Sequence, residues 1–440
     1  MKIQQIKFIE HQVFPANSTL TFFQEWEINI PKIFFIVGNN WAGKTHILES
    51  IYYWFKNIHW YEINSFSLNF NSLLNSQSYK LFESNKISKG HWWNNNLDEN
   101  ISVIYNSLNE VNFKWSDLIS TTATTIDNQK IPWHKSENLS QIIPQLLVDI
   151  KSQDSDSRSL RMDNNPTKIA SECNIVKKFD RFKDAFEKMY WWSKKFKKIE
   201  PINWKFSIIF EDEKWIEINI ENFSTWEKQI LFRVGDMLRN LNNLHWAIIL
   251  IDEPETSLHP QRQQKYTQFI LDIFDWLDVQ IIIATHSPYI LQWIREWESP
   301  CICIKLDKNN WWEIWQKIWY YPNAIKNPSI NLINYLAYWI FDETLHIELY
   351  SALEIYSKKS NQNKLEERIK NKLWIITTKN FIYKIWCWKW RCQKNLWDSW
   401  EELLPIYIRN KIHHPIEIWR IDYTNEDLEE SIKILLSLLQ

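Results

Sequence analysis

The sequence predicts an α/β protein with a mostly parallel sheet, an antiparallel N-terminal layer and an all-α C-terminal domain. Continuous apolar runs of strand type cover 33–37, 247–251 and 279–284. A stretch of helical periodicity at 261–274 links the last two runs. Strands that are apolar throughout and alternate with helices are typical of a parallel sheet covered on both faces. Residues 1–30 instead alternate apolar and polar side chains, as strands with one solvated face do.

The chain divides into three predicted parts. We expect one domain from residues 1–60 and 200–325, a subdomain inserted at 61–199, and a helical domain at 326–440. The insertion is polar and poorly periodic, so its fold is not predicted beyond a helical stretch near 175–190. Periodicity predicts the other elements in chain order: a helix from Thr45, strands at 205–210 and 216–220, and helices at 227–241, 342–356, 364–372, 401–412 and 424–439.

Composition limits the classes of partner. Lys and Arg number 51 and Asp and Glu 53, for a net charge of −2, so no overall field draws the chain to nucleic acid or anionic membrane. Nucleic-acid binding would need a local patch, for which 194–198 is a candidate. The five cysteines are scattered and are predicted to be free thiols in a reducing compartment. No apolar run approaches the roughly 18 residues of a membrane helix, so we expect a cytoplasmic protein without a membrane segment.

Tryptophan and glycine are present in unusual numbers. The chain has 29 Trp and 4 Gly, whereas about 7% glycine, or roughly 31 residues, is ordinary. Trp41 and Trp226 stand where a nucleotide-binding loop favours a residue without a Cβ. We therefore predict that most of these tryptophans are glycines, written as Trp because UGA codons were translated with the wrong code. The alternative is a truly Trp-rich protein.

A phosphate-binding loop follows the first buried strand. The segment reads Gly38-Asn39-Asn40-Trp41-Ala42-Gly43-Lys44-Thr45 and precedes a predicted helix. This is the Walker A pattern in its expected context. Backbone N–H groups would wrap the phosphates, Lys44 would reach the β- and γ-phosphates, and Thr45 would ligate Mg²⁺. ATP and Mg²⁺ are the predicted ligands.

Two further strand ends carry polar residues that suit phosphate chemistry. Asp252 and Glu253 follow the run 248–251, where Asp252 would hold Mg²⁺ and Glu253 would polarise the attacking water. His286 follows the run 279–284 and is predicted to sense or stabilise the γ-phosphate.

A fourth element, Ser224-Thr225-Trp226-Glu227, opens a predicted helix. With Gly in place of Trp226 it is an anion-binding helix N-terminus with a side-chain hydroxyl.

Together these motifs resemble an ABC-type ATPase of the branch that contains SMC, RecF and OLD-family proteins. Walker A, the signature at 224–229, Walker B and the switch histidine occur in the family's order, and 252–260 is similar to the D-loop region of OLD-like and RecF-like ATPases. The resemblance covers 1–60 and 200–325. It implies a homodimer that sandwiches ATP between two heads, with Ser224 of one protomer at the γ-phosphate held by Lys44 of the other. The family's Q-loop glutamine cannot be placed within 60–200.

The C-terminal region leaves the biological role open. Arg409 and His414 resemble the Arg-x4-His motif of HEPN-type RNases, and no acidic cluster of TOPRIM type follows residue 300. One hypothesis is an antiphage or stress ATPase whose helical domain cuts RNA. A second is a switch that gates a separate nuclease partner through a docking module. A third is a DNA-repair ATPase of RecF type.

Overall fold

The structure is a computed structural model that describes part of the chain. It covers 2–8, 14, 19–22, 31–38, 42–56, 66–71, 78–80, 103–106, 133–135, 139–164, 177–190, 193–202, 205–239, 244, 247–256, 258–292, 301–308, 314–319, 329–356, 382–384, 399–401, 404–413 and 423–439. The chain forms two compact units, Met1–Trp293 with Pro300–Ile318, and Ile294–Ser299 with Trp319–Gln440.

The helices and strands follow one another in this order: β1 (Lys2–Phe8), β2 (Thr19–Thr21), β3 (Ile33–Gly38), α1 (Lys44–Lys56), β4 (Phe66–Asn71), β5 (Ser78–Lys80), β6 (Val103–Asn106), β7 (Trp133–Lys135), α2 (Leu139–Asp163), α3 (Asp180–Met189), β8 (Lys194–Ile202), β9 (Lys205–Asp212), β10 (Glu217–Asn219), α4 (Thr225–Leu238), β11 (Ile248–Asp252), α5 (Pro260–Phe274), β12 (Gln280–Ala284), α6 (Pro288–Leu291), β13 (Cys301–Lys308), β14 (Ile314–Trp319), α7 (Ile330–Tyr338), α8 (Glu343–Tyr356), β15 (Ile382–Lys384), β16 (Ser399–Glu401), α9 (Leu404–His413) and α10 (Asn425–Leu439).

A seven-stranded sheet forms the centre of the first unit, in the order β14-β13-β3-β12-β11-β6-β7. Every neighbouring pair from β13 to β7 is parallel. Because β12 lies between β3 and β11, the carboxyl ends of these three strands meet at one edge of the sheet. The three strands are buried along their whole length, as the apolar runs predicted. The predicted α/β fold with a parallel sheet is confirmed.

The N-terminal strands belong to a separate antiparallel sheet, β2-β1-β4-β5. Ile3, Ile6 and Phe8 of β1 are buried with α1 residues in one core, as the alternation of the first thirty residues predicted. The side chain of Gln280 joins this layer to β12. Its Oε1 accepts from the backbone N–H of Ile3 at 2.6 Å, and its Nε2 donates to the Ile3 carbonyl at 2.9 Å.

The segment 61–199 shares sheets with the residues on either side of it. β4 and β5 extend the antiparallel sheet, β6 and β7 complete one side of the central sheet, and α2 and α3 pack against α4. A Cβ on Gly235 would lie 2.6 Å from Cγ2 of Ile143, so this glycine lets α4 approach α2 closely. The sequence predicted an inserted subdomain here because the strands are short and separated by long polar stretches.

The lysine run 194–198 lies at the start of strand β8. β8 pairs with β9 in a three-stranded antiparallel sheet. Lys197 forms ion pairs with Glu211 and Glu217, and Lys198 with Glu200 and Glu217. These pairs offset the positive charge of Lys197 and Lys198. Less positive charge is therefore left at this run to attract nucleic acid.

The second unit is built mainly from helices. Leu345, Leu349 and Leu353 lie buried on one face of α8, which contacts both α9 and α10. The short antiparallel pair β15–β16 departs from the predicted all-α domain. Each of its strands has three residues, which is too short for an alternating pattern to appear in the sequence. The helix predicted at 364–372 lies outside the described residues.

Candidate nucleotide-binding site

The loop after β3 has backbone geometry that favours glycine. Gly38 and Gly43 have φ values of 152° and 88°. A Cβ on Gly38 would lie 2.5 Å from the carbonyl oxygen of Leu306 on the neighbouring strand β13. Helix α1 begins directly after Gly43, so its first free N–H groups stand at the end of this loop. Asn39, Asn40 and Trp41 lie outside the described residues.

Lys44 is a buried cation at the start of α1. Its side chain donates from Nζ to the Gly38 carbonyl at 2.9 Å, and 6% of the residue is exposed. Burial lowers the pKa of Lys44 to about 8. The carboxylates of Glu253, Asp252 and Glu255 raise this pKa, but their effect is smaller than that of burial. An anionic ligand beside Lys44 would stabilise the charged ammonium, so the position suits phosphate.

Thr45 and Asp252 bring two oxygen ligands together. Thr45 Oγ1 donates to Asp252 Oδ1 at 3.3 Å, and the hydroxyl of Tyr105 donates to Oδ2 at 3.4 Å. Burial raises the pKa of Asp252 to about 6, although the bond from Thr45 lowers it. A hydroxyl and a buried carboxylate are the hard oxygen donors that Mg²⁺ prefers. The residues present therefore fit the metal predicted from the sequence.

Glu253 and His286 face each other across the sheet edge. Glu253 follows β11 and His286 follows β12, and His286 Nε2 lies 3.4 Å from Glu253 Oε1. Burial and the nearby Lys44 lower the pKa of His286, while Glu253 raises it. The net shift favours the neutral imidazole. Glu253 has a φ of 41°, in the left-handed region that costs a non-glycine residue about 1–3 kcal/mol.

The signature residues form a capping box at the start of α4. Ser224 donates to Glu227 Oε2 from its N–H at 2.8 Å and from its hydroxyl at 2.6 Å. Lys194 forms an ion pair with the same carboxylate. Although burial opposes it, the hydrogen bonds from Lys194 and Ser224 lower the pKa of Glu227. Trp226 is the second residue of the helix, and its ring centroid is 5.4 Å from the guanidinium carbon of Arg262.

The structure thus gathers five of the sequence-predicted residues at one sheet edge, namely Lys44, Thr45, Asp252, Glu253 and His286. Ser224, Trp226 and Glu227 form a second hydrogen-bonded group at the N-terminus of α4. Ala42 is buried beside α1.

Three polar residues beneath this edge were not predicted from the sequence, namely Arg233, Asn106 and Tyr105. Arg233 of α4 is buried and donates to the carbonyls of Asp252 at 3.4 Å and Glu253 at 3.5 Å. Asn106, at the end of β6, donates to the Arg233 carbonyl at 3.4 Å, and its Oδ1 has no hydrogen-bond partner within the described part of the chain. The signal for Arg233 was a charged residue flanked by apolar residues of a helix. β6 has four residues, so neither Tyr105 nor Asn106 carried a readable pattern.

Of the two residues that resemble an RNase motif, the structure describes one. Arg409 lies in α9, with its guanidinium carbon 5.6 Å from the ring centroid of Tyr350, and donates to Asn410 Oδ1 at 3.0 Å. α9 ends at His413, and His414 lies outside the described residues.

The parallel sheet, the glycine loop and the acidic strand end are the elements that P-loop nucleotide-binding sites combine. Residues 228–291, which include Asp252, Glu253 and His286, match the family model of the AAA ATPase domain. No curated protein matches the chain. Within the described residues, no helix is long and apolar enough to cross a membrane.

Solved structures similar to this chain include heads of SMC proteins. The SMC head domain from Thermotoga maritima is 9% identical over 72% of this chain and 99% of that chain, with a TM-score of 0.37. The Smc head domain from Pyrococcus furiosus bound to the C-terminal domain of ScpA is 10% identical over 72% and 96%, with a TM-score of 0.38.

Proposed function

We propose that this protein is a cytoplasmic, ABC-type switch ATPase that binds and hydrolyses ATP with Mg²⁺. The observation that carries the proposal is the convergence of Lys44, Thr45, Asp252, Glu253 and His286 at the carboxyl edge of the central sheet. Each of these residues has a contact or a pKa shift that suits phosphate, Mg²⁺ or an attacking water. The test is release of phosphate from ATP by the purified protein with glycine at positions 41 and 226, with and without Mg²⁺.

Each residue has one proposed role. Lys44 binds the β- and γ-phosphates, while Thr45 and Asp252 hold Mg²⁺. The bound metal would supply charge neutralisation on the phosphate oxygens. Glu253 orients the attacking water and accepts its proton, because a carboxylate is the base placed at this edge. The neutral His286 stays close to Glu253 without forming a full ion pair, so its ring is available to the γ-phosphate.

We further propose that two copies sandwich ATP. In this arrangement Ser224 and the N–H groups at the start of α4 contact the γ-phosphate held by the partner's Lys44. The capping box supports this role, because Glu227 orients the Ser224 hydroxyl at the helix terminus. The proposal includes glycine at positions 41 and 226, since a side chain there would stand where backbone meets phosphate.

For the second unit we propose an RNase-like effector in antiphage or stress defence. Arg409 would stabilise the charged phosphate and His414 would act as base or acid at the RNA 2′-hydroxyl. α9 ends one residue before His414, which supports convergence, because residues five apart within a helix point about 140° away from each other. The alternatives remain a dock for a separate nuclease and a RecF-like DNA-repair ATPase.

Arg409→Ala and His414→Ala are expected to abolish RNA cleavage and cell toxicity while leaving ATP hydrolysis within about twofold of the parent. The measurements are cleavage of RNA and DNA by the purified protein with ATP, and growth of expressing cells. If both variants stay as toxic as the parent while Lys44→Ala is silent, the helical unit is a dock. Cleavage of DNA alone would favour the repair ATPase.

ATP affinity is expected to be highest between about pH 6 and pH 8. Above pH 8 Lys44 loses its proton in the free protein and must regain it on binding, so affinity falls by up to about tenfold per pH unit. Below pH 6 Asp252 is protonated and must lose that proton to hold Mg²⁺. Titration with a fluorescent ATP analogue at saturating Mg²⁺, from pH 5 to 9.5, measures the loss of affinity below pH 6 and the loss above pH 8.

Asp252→Asn is the control for the loss of affinity below pH 6. Any pH dependence of ATP affinity that remains in this variant belongs to the ATP phosphates. An affinity that does not change between pH 7 and pH 9.5 would contradict the placement of Lys44 at the phosphates.

A further inference from the structure

The turn after β11 holds Glu253 in its strained conformation through several hydrogen bonds. The N–H of Glu253 donates to the Ala284 carbonyl at 2.9 Å, and the N–H of Thr256 donates back to the Glu253 carbonyl at 3.2 Å. A left-handed backbone at a bulky residue persists only where its surroundings over-determine it. The residues that fix this turn therefore also fix the direction of the Glu253 carboxylate.

Glu255 connects this turn to the loop that carries His286. Its Oε1 accepts a hydrogen bond from the backbone N–H of His286, and its carbonyl accepts from Leu258 N–H at 2.8 Å. Its other carboxylate oxygen, Oε2, is buried and has no hydrogen-bond partner among the described residues. This carboxylate therefore joins the segment after β11 to the backbone of His286.

Gln263 joins the same two loops from α5. Its Nε2 donates to the carbonyls of Leu258 at 2.7 Å and Glu255 at 3.4 Å. Its Oε1 accepts from the hydroxyl of Ser287, which itself accepts from backbone N–H groups at the start of α6. One amide thus binds the segment after β11 and the segment after β12 at once.

We propose that Glu255 and Gln263, which we call the clamp, are positioning residues that set Glu253 and His286 relative to each other. The inference rests on the proposed ATP hydrolysis and extends it. Glu253 and His286 follow different strands, so bonds that cross between their loops fix the distance between them. An error of about 1 Å in such a geometry can lower a rate about 100-fold.

The test compares Glu255→Ala with Glu255→Gln in the protein with glycine at positions 41 and 226, which is the parent for these variants. Glu255→Ala removes the acceptor for the His286 N–H and is expected to lower kcat about 10- to 100-fold while KM for ATP changes less than about threefold. Glu255→Gln keeps a carbonyl acceptor and is expected to stay within about threefold of the parent kcat. Gln263→Ala is expected to lower kcat about tenfold.

Gln268→Ala is the matched control, because Gln268 lies on the same helix and donates to Asp272 of that helix. Equal activity of Glu255→Ala and the parent would overturn the proposal. So would failure of Glu255→Gln alongside Glu255→Ala, or a rise in KM that matches the fall in kcat. If Glu255→Ala does not fold, Gln263→Ala against Gln268→Ala decides the question.

Hydrogen exchange separates this proposal from the proposed function. The amide of His286 is expected to exchange faster in Glu255→Ala than in the parent and in Glu255→Gln, whether or not the chain hydrolyses ATP. A parent chain without ATPase activity but with this exchange pattern would contradict the ATPase proposal and leave the clamp's contact intact. Unchanged exchange in Glu255→Ala would overturn the clamp.

Discussion

Glu253→Gln is expected to bind ATP as tightly as the parent chain and to hydrolyse it at least about 100-fold more slowly. The amide has the shape of the carboxylate but cannot accept a proton from water. Lys44, Thr45 and Asp252 keep their contacts, so nucleotide affinity is preserved. Phosphate release and titration with a fluorescent ATP analogue measure the two quantities separately.

The same variant tests the proposed dimer. Blocked hydrolysis is expected to trap two copies around ATP, which light scattering detects as a doubling of mass on addition of ATP and Mg²⁺. Lys44→Ala is the control, because it removes the cation that binds the phosphates and is expected to abolish ATP binding. A Glu253→Gln protein that stays monomeric in ATP would contradict the sandwich. Unimpaired hydrolysis by the same variant would contradict the role of Glu253.

The sequence predicted the motifs of this edge because each of them follows an apolar run of strand type. The strands β3, β11 and β12 each appear in the sequence as a continuous apolar run, which is followed by Gly38, Asp252 and Thr285 respectively. Parallel pairing then requires the ends of β3, β11 and β12 to lie together. The structure places Lys44, Asp252 and His286 at this edge, and their roles in ATP hydrolysis stay a prediction.

The supporting residues could not be predicted in this way. Arg233, Glu255 and Gln263 act through hydrogen bonds to backbone groups of loops that are distant in sequence. Contacts between residues that are distant in sequence produce no motif with a fixed spacing. An arginine or a glutamine on a helix has the same local sequence pattern whether it is solvated or bonded to a distant loop. β6 illustrates the same limit, because four residues within a long polar stretch cannot establish a period.

Two of the described tryptophans have the backbone conformation that glycine usually adopts. Trp215 and Trp339 have φ values of 63° and 58°, and a positive φ is an outlier for a bulky residue. Trp339 follows α7 in the left-handed conformation that ends many helices with glycine. Trp215, Trp276 and Trp339 are 77%, 59% and 44% exposed, although tryptophan is highly buried on average. These positions support the interpretation that the tryptophans stand for glycines.

Replacing both Trp41 and Trp226 by glycine is therefore expected to raise ATP hydrolysis from background by about 100-fold or more. At position 41 an indole would lie in the loop whose N–H groups bind phosphate. At position 226 it would cover the first turn of α4, where the partner's γ-phosphate is proposed to bind. Steady-state phosphate release by the double variant, by each single variant and by the printed sequence is the measurement.

Trp215→Gly is the matched control, because Trp215 has a positive φ and is exposed in the turn between β9 and β10. That variant is expected to leave hydrolysis unchanged and to unfold at the same or a higher temperature, since relief of a left-handed conformation contributes about 1 kcal/mol. Equal hydrolysis by the Trp and Gly forms would contradict both the recoding and the loop assignment. UGG codons at positions 41 and 226 would show that tryptophan is genuine there, and the loops would then need another explanation for their side chains.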